Sequence, residues 1–173
     1  MFITVKRLCY MVMLTAILTV QEEVLTFIPN VQLTFLLIMV YGATIGLIDG
    51  TLVVIVHVLL DNLIMNSFTP YIIIPMFIGL EIALVFGYLF RNRKEWFVSI
   101  FAGLAGFIYC MVFWASTVFF YQVEPIPYLI SDIPFEVVLI ICNIITVLFL
   151  FKPLVNVING NYPKRQELRE LEL

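Results

Sequence analysis

Long apolar runs separated by short polar breaks pattern this chain from end to end. Residues 8–28 are apolar until Gln21-Glu22-Glu23, and the run closes at Pro29-Asn30. A second run, 32–48, stops at Asp49-Gly50, and a third, 51–65, stops at the turn signals Asn66-Ser67 and Thr69-Pro70. Residues 71–90 lead into the basic cluster Arg91-Asn92-Arg93-Lys94, and 96–120 form a fifth run. Pro125 and Pro127 mark 121–133 as a loop, after which Pro134 stands at the start of a sixth run ending at 151. A β-barrel would need short alternating segments, which these unbroken runs are not. Backbone groups in lipid must be satisfied within the segment, so each run is predicted to be a helix. About 20 residues cross the hydrocarbon, which places runs two and three near or below the spanning length. The pattern therefore predicts an all-α membrane protein with six transmembrane helices. Residues 1–158 form the membrane domain, and 159–173 form a charged cytoplasmic tail within an amphipathic extension that begins at Lys152.

Composition strengthens this class. The chain is 63% hydrophobic and 12% charged, with a mean hydropathy of +1.11. A soluble domain of 173 residues could not hide that much apolar surface. Charge then sets direction. The nine Lys and Arg residues fall at Lys6-Arg7, at 91–94, at Lys152 and at 164–169. Six crossings put every one of them on a single face, and basic residues near span ends stay cytoplasmic. Both termini are thus expected inside, in the bacterial plasma membrane, with outer connections at 29–31, 66–70 and 121–133. The apolar run after Lys6-Arg7 lacks a small-x-small cleavage site and is read as a retained first span.

Polar residues within the runs are the candidate chemistry, because an ionisable group in hydrocarbon is costly and usually faces a protein interior or cavity. Most of them belong to the outer half. Glu22 and Glu23 lie late in the first run, Asn30 and Gln32 flank the first outer turn, and His57, Asp61 and Asn62 lie on the third run. Trp114 is on the fifth, while Tyr121, Tyr128 and Asp132 belong to the last outer stretch, next to Glu136. His57 and Asp61, four apart, share a helix face. Together these residues predict an outward-opening polar pocket with an aromatic rim. Glu81 reads as a cross-helix partner, Tyr109 as packing or a stacking platform, and Trp96 as an interfacial anchor.

Small residues at four-residue spacing (Gly42, Gly46, Gly50; Gly79, Ala83, Gly87; Ala102, Gly106) predict close helix contacts. The cysteines Cys9, Cys110 and Cys142 have no metal or redox spacing and read as small buried residues. A single histidine argues against a His-based metal site or a Ser-His triad, and no GxSxG, HExxH or Walker motif occurs. No catalytic or metal-binding residue is expected, nor a basic aromatic surface for nucleic acid.

Three stretches carry a family resemblance: Thr26-Phe27-Ile28-Pro29-Asn30-Val31-Gln32, Ser131-Asp132-Ile133-Pro134-Phe135-Glu136, and Leu150-Phe151-Lys152-Pro153-Leu154. With the size and span number, they make residues 8–158 similar to the substrate-binding S components of energy-coupling factor (ECF) vitamin transporters. The resemblance implies a vitamin held in the outward half of the membrane domain and capped by the outer loops. It implies a coupling T subunit in the membrane and two cytoplasmic ATPases, which use ATP and magnesium; this chain itself would hold no cofactor. Delivery would follow rotation of the whole S component in the bilayer. The family's Ala-x-x-x-Ala docking motif corresponds here to Thr15-Ala16-Ile17-Leu18-Thr19-Val20, so Thr15, Ala16, Thr19 and Val20 are the implied T-subunit interface. The likeness leans to a branch associated with cobalamin or its precursors, with pantothenate, a pyridoxine-type vitamin or another small precursor open. The main alternative is an MreD-like membrane scaffold that transports nothing. An intramembrane enzyme built on Asp61, His57 and Glu81, or a stand-alone carrier, ranks lower.

Overall fold

The computed structural model describes residues 5–25, 27 and 31–161. Asn30 and the basic residues of the tail lie outside the described residues. Six helices follow in order: α1 (Val5–Leu25), α2 (Thr34–Thr44), α3 (Leu47–Ile64), α4 (Pro70–Phe90), α5 (Glu95–Tyr121) and α6 (Pro125–Asn161). No strand occurs among the described residues. Five of the six, all but α2, are long and apolar enough to cross a membrane.

Local sequence explains the boundaries. Pro70 opens α4 in the first turn, where a missing N–H costs nothing, after an extended Thr69. Glu95 begins α5 with a carboxylate in the first turn, favourable against the helix dipole. Gly46 separates α2 from α3 with a φ of 84°, a conformation a side chain rarely permits.

Two expectations are corrected here. The second run is not one helix over 32–48: α2 ends at Thr44, and Ile48, Asp49 and Gly50 already belong to α3. Gly46 is therefore a hinge residue instead of a member of a small-residue stripe. The stretch 121–133 is not a loop either, since α6 begins at Pro125 and carries Pro134 inside it. Pro125 and Pro127 sit in the first turn, where no intrahelical donor is required, so two prolines that looked like loop signals are compatible with helix. At 37 residues, α6 is about 55 Å long, well beyond the ~30 Å hydrocarbon.

Helix α2 has only 11 residues, roughly 16 Å, and it is the hub. It touches all five other helices, and every residue from Thr34 to Gly42 is buried. Its contact with α4 is the closest. A Cβ on Gly42 would collide with the Leu84 carbonyl, and one on Gly87 with the backbone of Met39. The two glycines bring the backbones together where lipid supplies no hydrophobic drive. Around this seam lie Phe35, Ile38 and Met39 of α2, Leu80 and Leu84 of α4, Leu18 of α1 and Phe151 of α6. Tyr41 donates its hydroxyl to the Leu14 carbonyl at 3.0 Å, tying α2 to α1.

The outward faces are apolar: Val12, Ile17 and Val20 on α1, Ile55, Leu59 and Leu63 on α3, Ile141 and Ile145 on α6. A surface of this kind is consistent with a multi-pass membrane protein. Basic groups collect at one end. Arg7 of α1 grips Asp49 in the first turn of α3, with Nε 2.7 Å from Oδ2 and a second contact from Nη2 to Oδ1. Lys152 of α6 reaches Glu95 at the start of α5, 2.6 Å away. The exposed turn carrying Arg91, Arg93 and Lys94 joins α4 to α5 beside that pair.

Candidate functional site

The opposite half of the bundle holds a buried polar network. The last turns of α1 carry Thr19, Gln21 and Glu22; α3 presents His57 and Asp61 one turn apart. His57 is fully buried. Its Nδ1 lies 3.0 Å from the Thr19 hydroxyl, and its Nε2 lies 3.1 Å from Glu22 Oε2. The latter is a charge contact, off the line of a good hydrogen bond. When Thr19 donates to Nδ1, the ring proton sits on Nε2 and faces Glu22. The same Glu22 oxygen accepts the Thr34 hydroxyl at 2.9 Å.

Gln21 braces this arrangement. Its Nε2 donates to Thr34 at 2.8 Å and to the Leu18 carbonyl at 3.0 Å. Its Oε1 accepts the Leu33 N–H at 3.0 Å, satisfying an orphan donor at the start of α2. Network and hub are thus one construction, because the residue that caps α2 also holds the residue that holds Glu22.

Asp61 is 9% exposed, and its Oδ1 has no hydrogen-bond partner. The charges of Glu22, His57 and Glu23 all act on it. Tyr109 of α5 stands near Glu22 and Asp61. It fits over Gly79, edge-on to Phe35 at 5.3 Å and against Phe113 at 4.7 Å.

A second polar face lies on α6. Glu136 is buried with Oε1 unpartnered, and Asn143, two turns on, is fully buried with neither side-chain amide atom bonded. Asn143 occupies the space left by Gly106, 2.7 Å from where a Cβ would stand. Cys110, next to Tyr109, lies in the field of Glu136 and Asp132.

Of the residues expected from sequence, Glu22, Glu23, His57 and Asp61 are brought together, and Asp132 stands with Glu136. Others are placed elsewhere. Asn62 is spent locally: its amide donates to the Val58 carbonyl at 2.8 Å and its oxygen accepts from Ser67 at 3.1 Å. Trp114 donates to the Pro125 carbonyl at 3.1 Å, stapling the α5–α6 connection. Tyr121 meets Tyr71 edge-to-face with centroids 5.1 Å apart. Tyr128 lies in the first turns of α6, where its carbonyl accepts the Ser131 hydroxyl. Gln32 offers its backbone carbonyl to the Cys142 thiol at 3.6 Å. Thr15 and Thr19, expected on a docking surface, are buried and face inward, Thr15 bonding the Met11 carbonyl. Ala16 and Val20 remain on the exposed face of α1. Glu81 accepts a cross-helix hydrogen bond from Thr51 at 3.0 Å, beside an open hollow of about 330 Å³ lined by Phe77, Ile78 and Val85.

Sequence reasoning missed Thr34 and Asn143. The signal for Asn143 was present: a lone amide in an apolar run, seven residues after Glu136 and therefore on the same helix face. Thr34 carried no such signal. Among the described residues, no group of three or more His, Cys, Asp or Glu side chains is set to hold a metal ion.

No family model, curated protein or solved structure matches this chain.

Proposed function

We propose that this chain is the substrate-capture subunit of an ATP-driven importer of the ECF type, resident in the cell membrane. The observation that carries the reading is the buried Glu22–His57–Asp61 network, held in the half of an apolar-surfaced bundle opposite to its basic end. Isolated ionisable groups in a membrane interior are retained mainly for substrate or ion handling. The basic end faces the cytoplasm by the positive-inside rule, so the network faces outward. The chain then crosses the bilayer six times, with α2 making its short passage inside a sheath of protein. The nutrient suggested by the resemblance is cobalamin or a precursor.

Coupling falls to the exposed strip of α1. Ala16 and Val20, with Val12 and Ile17, form a smooth apolar face against which a T-subunit helix can pack. Chemical energy comes from partner ATPases using ATP and magnesium. An MreD-like scaffold would have no use for polar atoms left unanswered inside the bundle.

The test is co-expression with an ECF T subunit and its two ATPases, followed by affinity purification and uptake of radiolabelled vitamins in proteoliposomes. A stable four-subunit complex with ATP-dependent uptake of one vitamin is the expected result. A chain that neither joins the complex nor binds any vitamin overturns the proposal.

A further inference from the structure

We infer that the outer ends of α1 and α3 together bind an organic cation, an ammonium or amidinium head whose N–H donates to Asp61 Oδ1. This rests on the importer proposal above and names the substrate class of the same site.

Two contacts fix how these helices lie. Arg7 meets Asp49 near their starts, and Thr19 meets His57 farther along, so α1 and α3 run side by side in the same direction. One turn beyond the second contact, Glu23 on α1 and Asp61 on α3 come level. Glu22 reaches His57 just below them, and the charges of Glu22, Glu23 and His57 all act on Asp61. Glu22 and Glu23 occupy the last turn of α1, Asp61 occupies the last turn of α3, and neither turn holds a basic residue. The C-terminal end of a helix carries partial negative charge, so acids there are unfavourable. Here two such ends stand together, and a single imidazole is set against their carboxylates.

The independent sign of a ligand is a pair of unanswered atoms on one face of α3. Asp61 is nine-tenths buried, and its Oδ1 has no donor. His57, one turn below, is fully buried, and its Nε2 makes no well-aligned hydrogen bond. A buried carboxylate oxygen without a donor is costly. The basic side chains of the protein do not supply one. Among the described residues, Arg7 and Lys152 are engaged with Asp49 and Glu95 at the basic end, and Lys6, Arg91, Arg93 and Lys94 are exposed. No described group of three or more His, Cys, Asp or Glu side chains is set around a metal ion, so the fitting cation is an N–H-bearing organic head. An anionic head would add to the repulsion among the carboxylates. Cyanocobalamin, the type of nutrient the resemblance suggests, brings neutral amides and is the contrasting probe.

The experiment uses the purified full chain in nanodiscs, with thermal shift and equilibrium binding. The probes are agmatine and thiamine as cations, cyanocobalamin as the neutral amide, and pantothenate and biotin as anions. A cation is expected to raise the melting midpoint. Asp61→Asn should weaken its binding about tenfold or more, and Glu23→Gln about threefold. Glu81→Gln, which alters a carboxylate bonded to Thr51 outside the site, should leave binding unchanged. The ligand-free midpoint serves as the folding control for each variant. The chain has one histidine, so isotope-labelled histidine gives a single imidazole NMR signal, which should move when the cation is added. Stabilisation by cyanocobalamin, pantothenate or biotin but by neither cation overturns the inference and leaves the importer proposal standing. So does formation of the four-subunit complex by a chain that binds no probe. Cation binding that ignores both Asp61→Asn and Glu23→Gln, or leaves the His57 signal in place, overturns the site. A chain that binds no probe and joins no complex overturns both proposals.

Discussion

At one end of the bundle Arg7 grips Asp49 and Lys152 reaches Glu95; at the other, Asp61, Glu136 and Asn143 are buried with polar atoms that no side chain answers. Both regions place charge in an apolar protein, but only the first neutralises it internally. Asp49 is 1% exposed and depends on a two-pronged guanidinium, a geometry that repays desolvation. At the acidic end Glu22 is answered by His57 and Thr34, yet Asp61 Oδ1, Glu136 Oε1 and the Asn143 amide are not. A pair that closes on itself fixes architecture, here the approach of α1 to α3. Groups left open are costly to stability and are retained where something else completes them.

The largest effect is expected at the basic end. Arg7→Ala strands a buried carboxylate and should cost about 3–5 kcal/mol in equilibrium unfolding from mixed micelles. Combining Arg7→Met with Asp49→Leu should recover most of that loss, since the cost lies in the unpaired charge. A double variant as unstable as the single one would show that the pair does more than neutralise itself.

The seam between the two ends comes next. Gly87→Ala drives a methyl into the Met39 backbone, which cannot rotate away, and should cost about 1–3 kcal/mol. Because the seam serves both ends, ligand affinity per folded molecule should hardly change. A selective loss of affinity would mean that the α2–α4 contact is part of the site.

At the acidic end the sign should reverse. Asp61→Asn and Glu136→Gln remove buried charge at nearly constant shape, so ligand-free stability should stay within about 1 kcal/mol of the parent or rise. Ligand affinity should fall in Asp61→Asn even as its stability holds. A large loss of ligand-free stability in either variant would make these carboxylates structural and erase the contrast between the ends.

The smallest effect belongs to Lys152→Ala. Its pair with Glu95 is exposed and open to salt screening. No measurable change in melting midpoint is expected, at low or high ionic strength. A clear destabilisation would show that α5 and α6 need the pair to stay aligned.

Much of the site was legible residue by residue, and little of it as an assembly. His57 and Asp61 shared a face by spacing alone, and Glu22 stood out as a charge in an apolar run. Nothing local said that Thr19 turns inward to His57 while Ala16 stays outside, since α1 is apolar around most of its circumference and offers no amphipathic stripe to read. Asn62 looked like a neighbour of Asp61 in function, but its amide is consumed by α3 and the following turn. Trp114 looked like a rim residue, and its indole N–H instead closes a helix connection.

Helical class, the apolar surface consistent with a membrane and the clustering of basic residues were properties of the chain taken alone. Each follows from a local demand, because a span must satisfy its own backbone and present apolar side chains wherever it meets lipid. Tertiary structure decided the rest: that α2 is a short central helix, that α6 begins at Pro125, and that α1 and α3 bring Glu22, Glu23 and Asp61 together around His57. Helix rotation and depth in an all-apolar bundle are set by glycine contacts and buried hydrogen bonds between segments far apart in the chain, and no periodicity within one segment encodes them.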